Sequence, residues 1–288
     1  MNEVDIVLDL APPSNIGRLL LESGRLTAIQ AESVHALQQE EGIRFGEAAI
    51  KLGYIGATDI QYVLSRQFAY PYLERDDTSI SSDVIAAYDP YTPAVEQLRS
   101  LRSQLTLRWI AEGNKAFTIV SHEHGAGSSY IAANLAVVFS QLGARTLLID
   151  ASLRIPRQHE HFRIENRIGL SDILAGRADI QVAHRIDKLL DLSVLTAGTP
   201  APNPQELLSR RSFVELLSQV SRAFDVVIID TPPMVDSADA QVIASRTRAA
   251  LLVANRHQTS LAGMQSVIGM LRTSGTEVLG CVLNEAPR

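Results

Sequence analysis

The chain has 288 residues, 46% of them hydrophobic and 20% charged, so it can bury a core and is not disordered over most of its length. A formal net charge of −6 argues against nucleic-acid binding by the whole protein through phosphate charge, and leaves only a local basic patch open. A single cysteine excludes a disulfide framework or a cysteine-rich zinc site. No run approaches the roughly 18 apolar residues of a membrane span, and no signal peptide precedes the first predicted helix, so we expect a cytoplasmic protein.

The amino-terminal part is predicted to be a small all-α domain. Residues 1–13 end in Ala-Pro-Pro and are interpreted as a tail. Residues 14–75 carry two copies of one pattern at an offset of 29, each reading helix, glycine stop, turn and second helix. The matched pairs are Ile16 and Phe45, Gly17 and Gly46, Gly24 and Gly53, Leu26 and Ile55, and Gln38 and Gln67.

Residues 76–93 lack periodicity and are interpreted as a linker. From residue 94 to 288, short apolar strands alternate with amphipathic helices, which predicts an α/β domain with a mostly parallel sheet covered by helices on both faces. Ligands of such sheets bind beyond the carboxyl ends of the strands. Strands are predicted at 116–121, 146–150, 192–196, 226–229, 250–254 and 278–283, and helices at 94–110, 129–142, 170–175, 204–223 and 261–273.

A loop of small residues lies between the first strand and the next helix. Its backbone N–H groups and the helix dipole are suited to an anion, although a structural turn has the same composition. A phosphate loop reads GxxxxGK[ST], with lysine on the outer phosphates and the hydroxyl on magnesium. Here Ser128 takes the place of lysine and Ser129 keeps the hydroxyl. The predicted nucleotide-binding residues of this loop are Gly125, Ala126, Gly127, Ser128, Ser129 and Tyr130.

Two aspartates end strands that neighbour this loop, Asp150 and Asp230. Such carboxylates hold magnesium or orient a nucleophile. One aspartate at a strand end is equally common as a helix cap or a surface acid, but two beside a phosphate loop favour a metal site. Ser129, Asp150 and Asp230 are therefore the predicted magnesium ligands.

With these motifs in place, residues 91–285 resemble the bacterial tyrosine kinases that accompany capsule and exopolysaccharide chain-length proteins. The similarity includes the segments 96–102, 132–136, 146–150, 156–157, 198–208 and 224–233. The resemblance implies a P-loop ATPase fold, ATP or ADP with Mg²⁺, and autophosphorylation of a carboxyl-terminal tyrosine cluster. It also implies a membrane chain-length-determinant protein as partner, which would place the chain at the inner membrane.

The same resemblance assigns further residues. The family's ExxRxxR motif for ring assembly is represented by Glu96, Arg99 and Arg102. The acids Asp150 and Asp230 are implied to be catalytic together with Arg154, and Asn284 is expected to flank the base.

Three parts of the family pattern are missing. Ser128 replaces the lysine, Ser152 replaces a second acid after Asp150, and no tyrosine follows Tyr130. Lys115 and Lys188 precede their strands, about 20 Å from the phosphates at ~3.3 Å per residue, so Arg154 is the better substitute charge. Paired histidines at 122–124 and 159–161 are too few for a full metal-ligand set.

The amino-terminal repeat resembles the tandem helical module of type II secretion ATPases, some of which bind cyclic di-GMP. The second copy matches best, and its candidate ligands are Arg44, Gly46, Gly53 and Gln67. The first copy has Asn15 where an arginine is expected, which removes a bidentate clamp. A protein-docking module without a ligand is the alternative.

Three functions stay open at this stage. The retained scaffold and lost lysine favour an impaired, kinase-like regulatory subunit that binds nucleotide weakly. An active tyrosine kinase with a rearranged cation is the second. The third is a partitioning-type positioning ATPase, which shares the fold but would need a loop lysine and a membrane-binding or dimer-switching element.

Overall fold

The computed structural model describes residues 15–56, 59–60, 63 and 72–285. The chain forms two compact units, residues 1–71 and 72–288. The predicted tail at 1–13 lies outside the described residues. In the part of the chain that is described, no helix has the length and apolar character that a membrane crossing requires.

The first unit contains helices α1 Asn15–Glu22, α2 Ala28–Glu41 and α3 Phe45–Lys51. Thr27 caps α2 with a reciprocal bond to Gln30, and the equivalent pair in the second copy is Gly56 and Asp59, whose carboxylate accepts from the Gly56 N–H at 2.8 Å. The buried core follows the repeat, because its members include three pairs offset by 29: Leu20 and Ala49, Leu26 and Ile55, and Val34 and Val63.

The second unit begins with a segment that packs on its own helices. We call residues 72–92 the strap; it contains the short helix α4 Ile85–Tyr88. The side chain of Asn134 accepts from the Ala86 N–H at 2.9 Å and donates to the Asp83 carbonyl at 3.0 Å. The side chain of Gln141 donates to the Ala86 carbonyl at 2.9 Å. The predicted linker 76–93 is therefore an ordered part of the second unit.

A seven-stranded sheet forms the centre of this unit, in the order β3-β4-β2-β5-β1-β6-β7. All described pairs are parallel except β3 with β4. The five inner strands are almost fully buried, which explains their continuous apolar sequences. The strands are β1 Ala116–Ser121, β2 Thr146–Asp150, β3 His184–Arg185, β4 Leu192–Leu195, β5 Val226–Asp230, β6 Ala249–Asn255 and β7 Glu277–Asn284.

Helices cover both faces of the sheet, as the sequence predicts. The strap, α5, α6 and α7 pack on one face, and the other helices that contribute to the core pack on the opposite face. The predicted helix 204–223 is two helices, because Arg210 adopts an extended conformation between them. The helices are α5 Pro93–Arg108, α6 Ser128–Ser140, α7 Gln158–Phe162, α8 Leu170–Leu174, α9 Pro204–Ser209, α10 Arg211–Ala223, α11 Asp239–Thr247 and α12 Leu261–Thr273.

Candidate nucleotide and magnesium site

The loop between β1 and α6 has the backbone of an anion cradle. Gly125 and Gly127 adopt positive φ angles of 74° and 91°, which L side chains rarely tolerate. Gly127 is the N-cap of α6, so the first N–H groups of that helix stand at the loop. A Cβ on Gly127 would also overlap the side chain of Asn284. The glycine is therefore required twice, by conformation and by space.

Three side-chain amides, from the ends of β6 and β7 and from the turn after β6, hold the carbonyls of this loop. Gln258 donates to the His124 carbonyl at 3.3 Å, and Asn255 donates to the Gly125 carbonyl at 3.4 Å. Asn284 donates to the Ala126 carbonyl at 3.0 Å. We call these three residues the amide collar. Because the collar engages three successive carbonyls, it fixes the peptide planes of the loop and preorganises the N–H groups.

The lysine position of the loop carries only a hydroxyl. Ser128 Oγ lies 3.5 Å from Ser121 Oγ on β1. Of the two lysines in this unit, Lys115 lies beside Asp225 at the amino edge of the sheet, with 3.9 Å between Nζ and Oδ1. Lys188 forms an ion pair of 2.5 Å with Asp77 of the strap. Neither lysine supplies charge to the loop.

The two predicted acids meet at the carboxyl edge of the sheet. Asp150 and Asp230 are register partners on β2 and β5, and both are fully buried. Asp150 accepts three backbone N–H bonds, from Ser152 at 3.1 Å and from Arg157 and Gln158 at 2.9 Å each. Asp150 thus holds the loop after β2 in place.

The carboxylate of Asp230 has fewer hydrogen-bond partners than that of Asp150. Its Oδ2 accepts from Gln158 Nε2 at 2.7 Å, and its Oδ1 is buried without a protein partner among the described residues. The Ser129 hydroxyl is close enough to this carboxylate to lower its pKa. The structure therefore brings all three predicted magnesium ligands, Ser129, Asp150 and Asp230, into one cluster.

The pKa values of this pair follow from burial. Burial and the charge of Asp230 raise the pKa of Asp150 to about 8, against three backbone N–H bonds that lower it. Burial raises the pKa of Asp230 to about 6, against hydrogen bonds from Gln158 and Ser129. Two adjacent carboxylates without a cation share protons, and a divalent cation would restore their charge.

Arg154, predicted as the substitute cation, is paired within the chain. Its Nε lies 3.2 Å from Asp239 Oδ2 at the start of α11, and the Asp239 side chain is 1% exposed. Ser152, at the position of the missing acid, donates to the Ile155 carbonyl at 2.8 Å. The loop after β2 thus uses both residues to fix its own shape.

The residues predicted to assemble a ring lie on α5. Glu96 is exposed and lies 3.1 Å from Arg99, which also donates to the Tyr72 hydroxyl at 2.9 Å. Arg102 donates to the Val138 carbonyl on α6 at 2.8 Å. Both arginines therefore already have partners within their own chain.

The cyclic di-GMP candidates have structural roles in the helical unit. Arg44 is the N-cap residue of α3, and its N–H donates to Glu47 at 3.1 Å. A Cβ on Gly46 would lie 2.7 Å from Ile60 Cδ1, and Gly53 has a φ of 70°. Gln67 lies outside the described residues. Close packing and a turn account for the two glycines.

Sequence reasoning missed four residues of the site. Gln158, Asn255 and Gln258 contact acids or loop carbonyls far away in the chain, and Asp239 pairs with Arg154 across 85 residues. Asn255 and Gln258 had a signal, since Asn255 ends a strand whose carboxyl end faces the ligand edge and Gln258 lies in the turn after it.

Among the described residues, no group of three or more His, Cys, Asp or Glu side chains is arranged around a metal position.

Comparison with known proteins identifies the family of this chain. An AAA domain model matches residues 114–278. Tyrosine-protein kinase YwqD of Bacillus subtilis (strain 168) is 37% identical over 202 residues, or 70% of this chain and 85% of that protein. The chimerical protein CapA2B2 is 33% identical with a TM-score of 0.67, covering 78% of this chain and 98% of that one. The kinase domain of the Escherichia coli tyrosine kinase ETK is 32% identical with a TM-score of 0.70, covering 74% and 84%. The chain therefore belongs to the bacterial tyrosine-protein kinase family, which has a P-loop ATPase fold.

Proposed function

We propose that this protein is a kinase-like regulatory subunit of the machinery that polymerises and exports an exopolysaccharide. It binds ATP or ADP with Mg²⁺, and its phosphoryl-transfer activity is impaired. One observation carries this proposal: the phosphate loop and both acids are held in place, whereas Ser128 stands at the lysine position and neither lysine of the unit is near.

The residues of the site fit a magnesium nucleotide. The N–H groups at the start of α6 are available to phosphate oxygens, and Gly127 leaves room that a side chain would fill. Asp230 Oδ1 is buried without a partner among the described residues, which is costly unless a ligand satisfies it. Ser129 and Asp230 would hold the metal, with Asp150 orienting the loop beside them.

The impairment follows from the missing charge. When bound, Mg²⁺ neutralises charge on the phosphates, but it does not replace a lysine on the outer phosphate oxygens. Loss of one preorganised donor at an active site typically costs roughly 10²–10³ in rate. The loop then binds and orients a nucleotide, while the charge that develops during transfer lacks one counter-charge.

Two measurements on the purified full chain test this proposal. With radiolabelled ATP, Mg²⁺ and the membrane chain-length protein present, we expect no label on either protein above background. Calorimetry should show weak ATP binding that Ser128→Lys tightens about tenfold, with Ser128→Ala as the control that leaves affinity unchanged. Strong labelling that Asp230→Asn abolishes would refute the impairment.

An active tyrosine kinase is the second candidate, and membership of the kinase family favours it. Here Arg154 would have to supply the missing charge. Its side chain is 44% exposed and held by one ion pair to Asp239, so a nucleotide would have to compete with that pair. Labelling that disappears in Arg154→Gln but persists in Ser128→Ala would identify this case.

We also propose how the chain is placed in the cell. It acts in the cytoplasm, at the inner membrane, through a membrane chain-length-determinant protein, and it assembles into a homo-oligomeric ring through α5. Glu96, which is exposed, and the arginines one and two turns later supply the charged motif for this contact. The helical unit is proposed as a protein-docking module, because two of its cyclic di-GMP candidates have structural roles.

A further inference from the structure

One residue that the sequence analysis did not predict contacts all three predicted magnesium ligands, Ser129, Asp150 and Asp230. Gln158 opens α7 and is fully buried. Its side-chain Nε2 donates to Asp230 Oδ2 at 2.7 Å and to the Ser129 carbonyl at 3.1 Å, and its backbone N–H donates to Asp150 Oδ2 at 2.9 Å. A single glutamine thus connects the start of α6 with the ends of β2 and β5.

We propose that Gln158 is a positioning residue of the magnesium site: its amide clamps Asp230 Oδ2 to the Ser129 carbonyl and leaves Asp230 Oδ1 as the oxygen that receives the cation. This inference rests on the proposed binding of a magnesium nucleotide at the same site. It assigns different roles to the two acids, because the oxygens of Asp150 are engaged by backbone N–H groups while Asp230 keeps one oxygen open.

The hydrogen-bond inventory fixes the orientation of the Gln158 amide. A carboxylate oxygen and a carbonyl oxygen are both acceptors, so the donating NH₂ group must face them and both of its protons are used. The Oε1 atom then points elsewhere and is buried without a partner among the described residues. Since the amide cannot flip without facing two acceptors with an oxygen, the clamp holds Asp230 in one rotamer.

A neutral donor suits this position better than a cation. A lysine or arginine on Asp230 would cancel the charge that attracts Mg²⁺, whereas an amide stabilises the carboxylate and leaves its charge. Side chains that hold a metal ligand by hydrogen bonds typically contribute 10–100-fold to metal affinity. Gln158 has that relation to Asp230.

Gln141 provides a matched control. It is also a buried glutamine on this unit, and its Nε2 donates to a backbone carbonyl of the strap at 2.9 Å rather than to an acid. Replacing either glutamine by methionine removes one buried amide of the same size. Only Gln158→Met removes a bond to a predicted metal ligand.

The experiment measures ADP binding to the full chain by calorimetry, in EDTA and in saturating Mg²⁺. In EDTA, we expect Gln158→Met to bind ADP with an affinity within about twofold of that of the unmodified chain. Saturating Mg²⁺ should then raise the ADP affinity of the variant about 10–100-fold less than it raises that of the unmodified chain; we call this increase the Mg²⁺ gain. Gln141→Met should keep that gain. An equal Mg²⁺ gain in both variants overturns the inference alone, whereas no ADP binding by the unmodified chain overturns the proposed function and the inference with it.

A second measurement avoids the variants. In the unmodified protein, the side-chain NH₂ protons of Gln158 should exchange slowly with solvent and remain slow when Mg²⁺ and ADP are added, because the clamp persists in the bound state. Rapid exchange of these protons in the presence of Mg²⁺ and ADP would show that Gln158 leaves Asp230 and would overturn the inference.

Discussion

The buried acid pair makes the metal-free protein less stable as the pH rises, and Asp230→Asn should remove much of this effect. The substitution removes a buried charge but keeps an oxygen that can accept from Gln158 Nε2, which now donates to Asp230 at 2.7 Å. It also removes the charge that raises the pKa of Asp150. We therefore expect the variant to be more stable than the unmodified protein in EDTA.

The sign and size follow from proton linkage. Folding raises the pKa of Asp230 from 3.8 to about 6, so the folded state holds its proton more tightly and ionisation opposes folding. The cost is small below pH ~4 and complete above pH ~6, where a shift of about two pKa units corresponds to roughly 3 kcal/mol. Asp230→Asn should thus gain less than about 1 kcal/mol at pH 4 and roughly 3 kcal/mol at pH 8.

Urea unfolding followed by tryptophan fluorescence measures this difference. Trp109 is the one tryptophan of the chain and lies in the core of the second unit with 7% exposure. At pH 8 the unfolding midpoint of the variant should rise by roughly 1 M urea. Burial lowers the pKa of His161, which acts in the opposite direction in the same pH range, so the difference between the two proteins is the quantity to follow.

Asp225 provides the control, because it lies just before β5 whereas Asp230 ends that strand. The hydrogen bond from Arg145 lowers the pKa of Asp225 to about 2, so its charge stabilises the fold above pH ~4. Asp225→Asn should therefore destabilise at pH 8. If Asp230→Asn fails to stabilise at pH 8, or stabilises equally at pH 4, the acids are not an unneutralised pair.

Three other predictions concern the phosphate loop, the proposed ring contact and the ion pair between Arg154 and Asp239. Gly127→Ala should weaken ADP binding at least tenfold without loss of the folded Trp109 signal, since a Cβ there overlaps Asn284 and the φ of 91° costs ~1–3 kcal/mol. Arg102→Glu should lower the oligomer mass in analytical ultracentrifugation while ADP affinity stays the same; an unchanged mass would exclude this residue from the interface. Asp239→Asn should free Arg154 and tighten ATP binding relative to ADP by at most about fivefold, the value of a partly exposed ion pair of ~1 kcal/mol, and a weaker ATP affinity would contradict this.

The inner strands of the sheet and the positions of Asp150 and Asp230 could be predicted from the sequence. Buried parallel strands are continuous apolar runs, so β1 and β2 match their predicted bounds. Asp150 and Asp230 could be placed together because parallel strands end at one edge, and their register confirms this placement. In a parallel sheet, the predicted strand ends therefore indicate which side chains lie together at the carboxyl edge.

Other features could not be read from local pattern. Gln158 lies on a five-residue helix that shows no periodicity, and its bond to Asp230 spans 72 residues. The break at Arg210 has no glycine or proline to announce it. The charged residue Arg154 looked available in the sequence, but only the fold shows that Asp239 is its partner. Each of these depends on long-range contacts rather than on local composition.

The hydrogen bonds of the strap determine at which residue a truncated form of the second unit can begin. A fragment beginning at residue 94 would lose the hydrogen bonds that the side-chain amides of Asn134 and Gln141 make to Ala86. It would also lose the bond from Ser81 to the His161 carbonyl, at the end of the helix that carries Gln158. Recombinant versions of the second unit should therefore start at residue 72, and shorter versions should fold poorly whatever their catalytic residues.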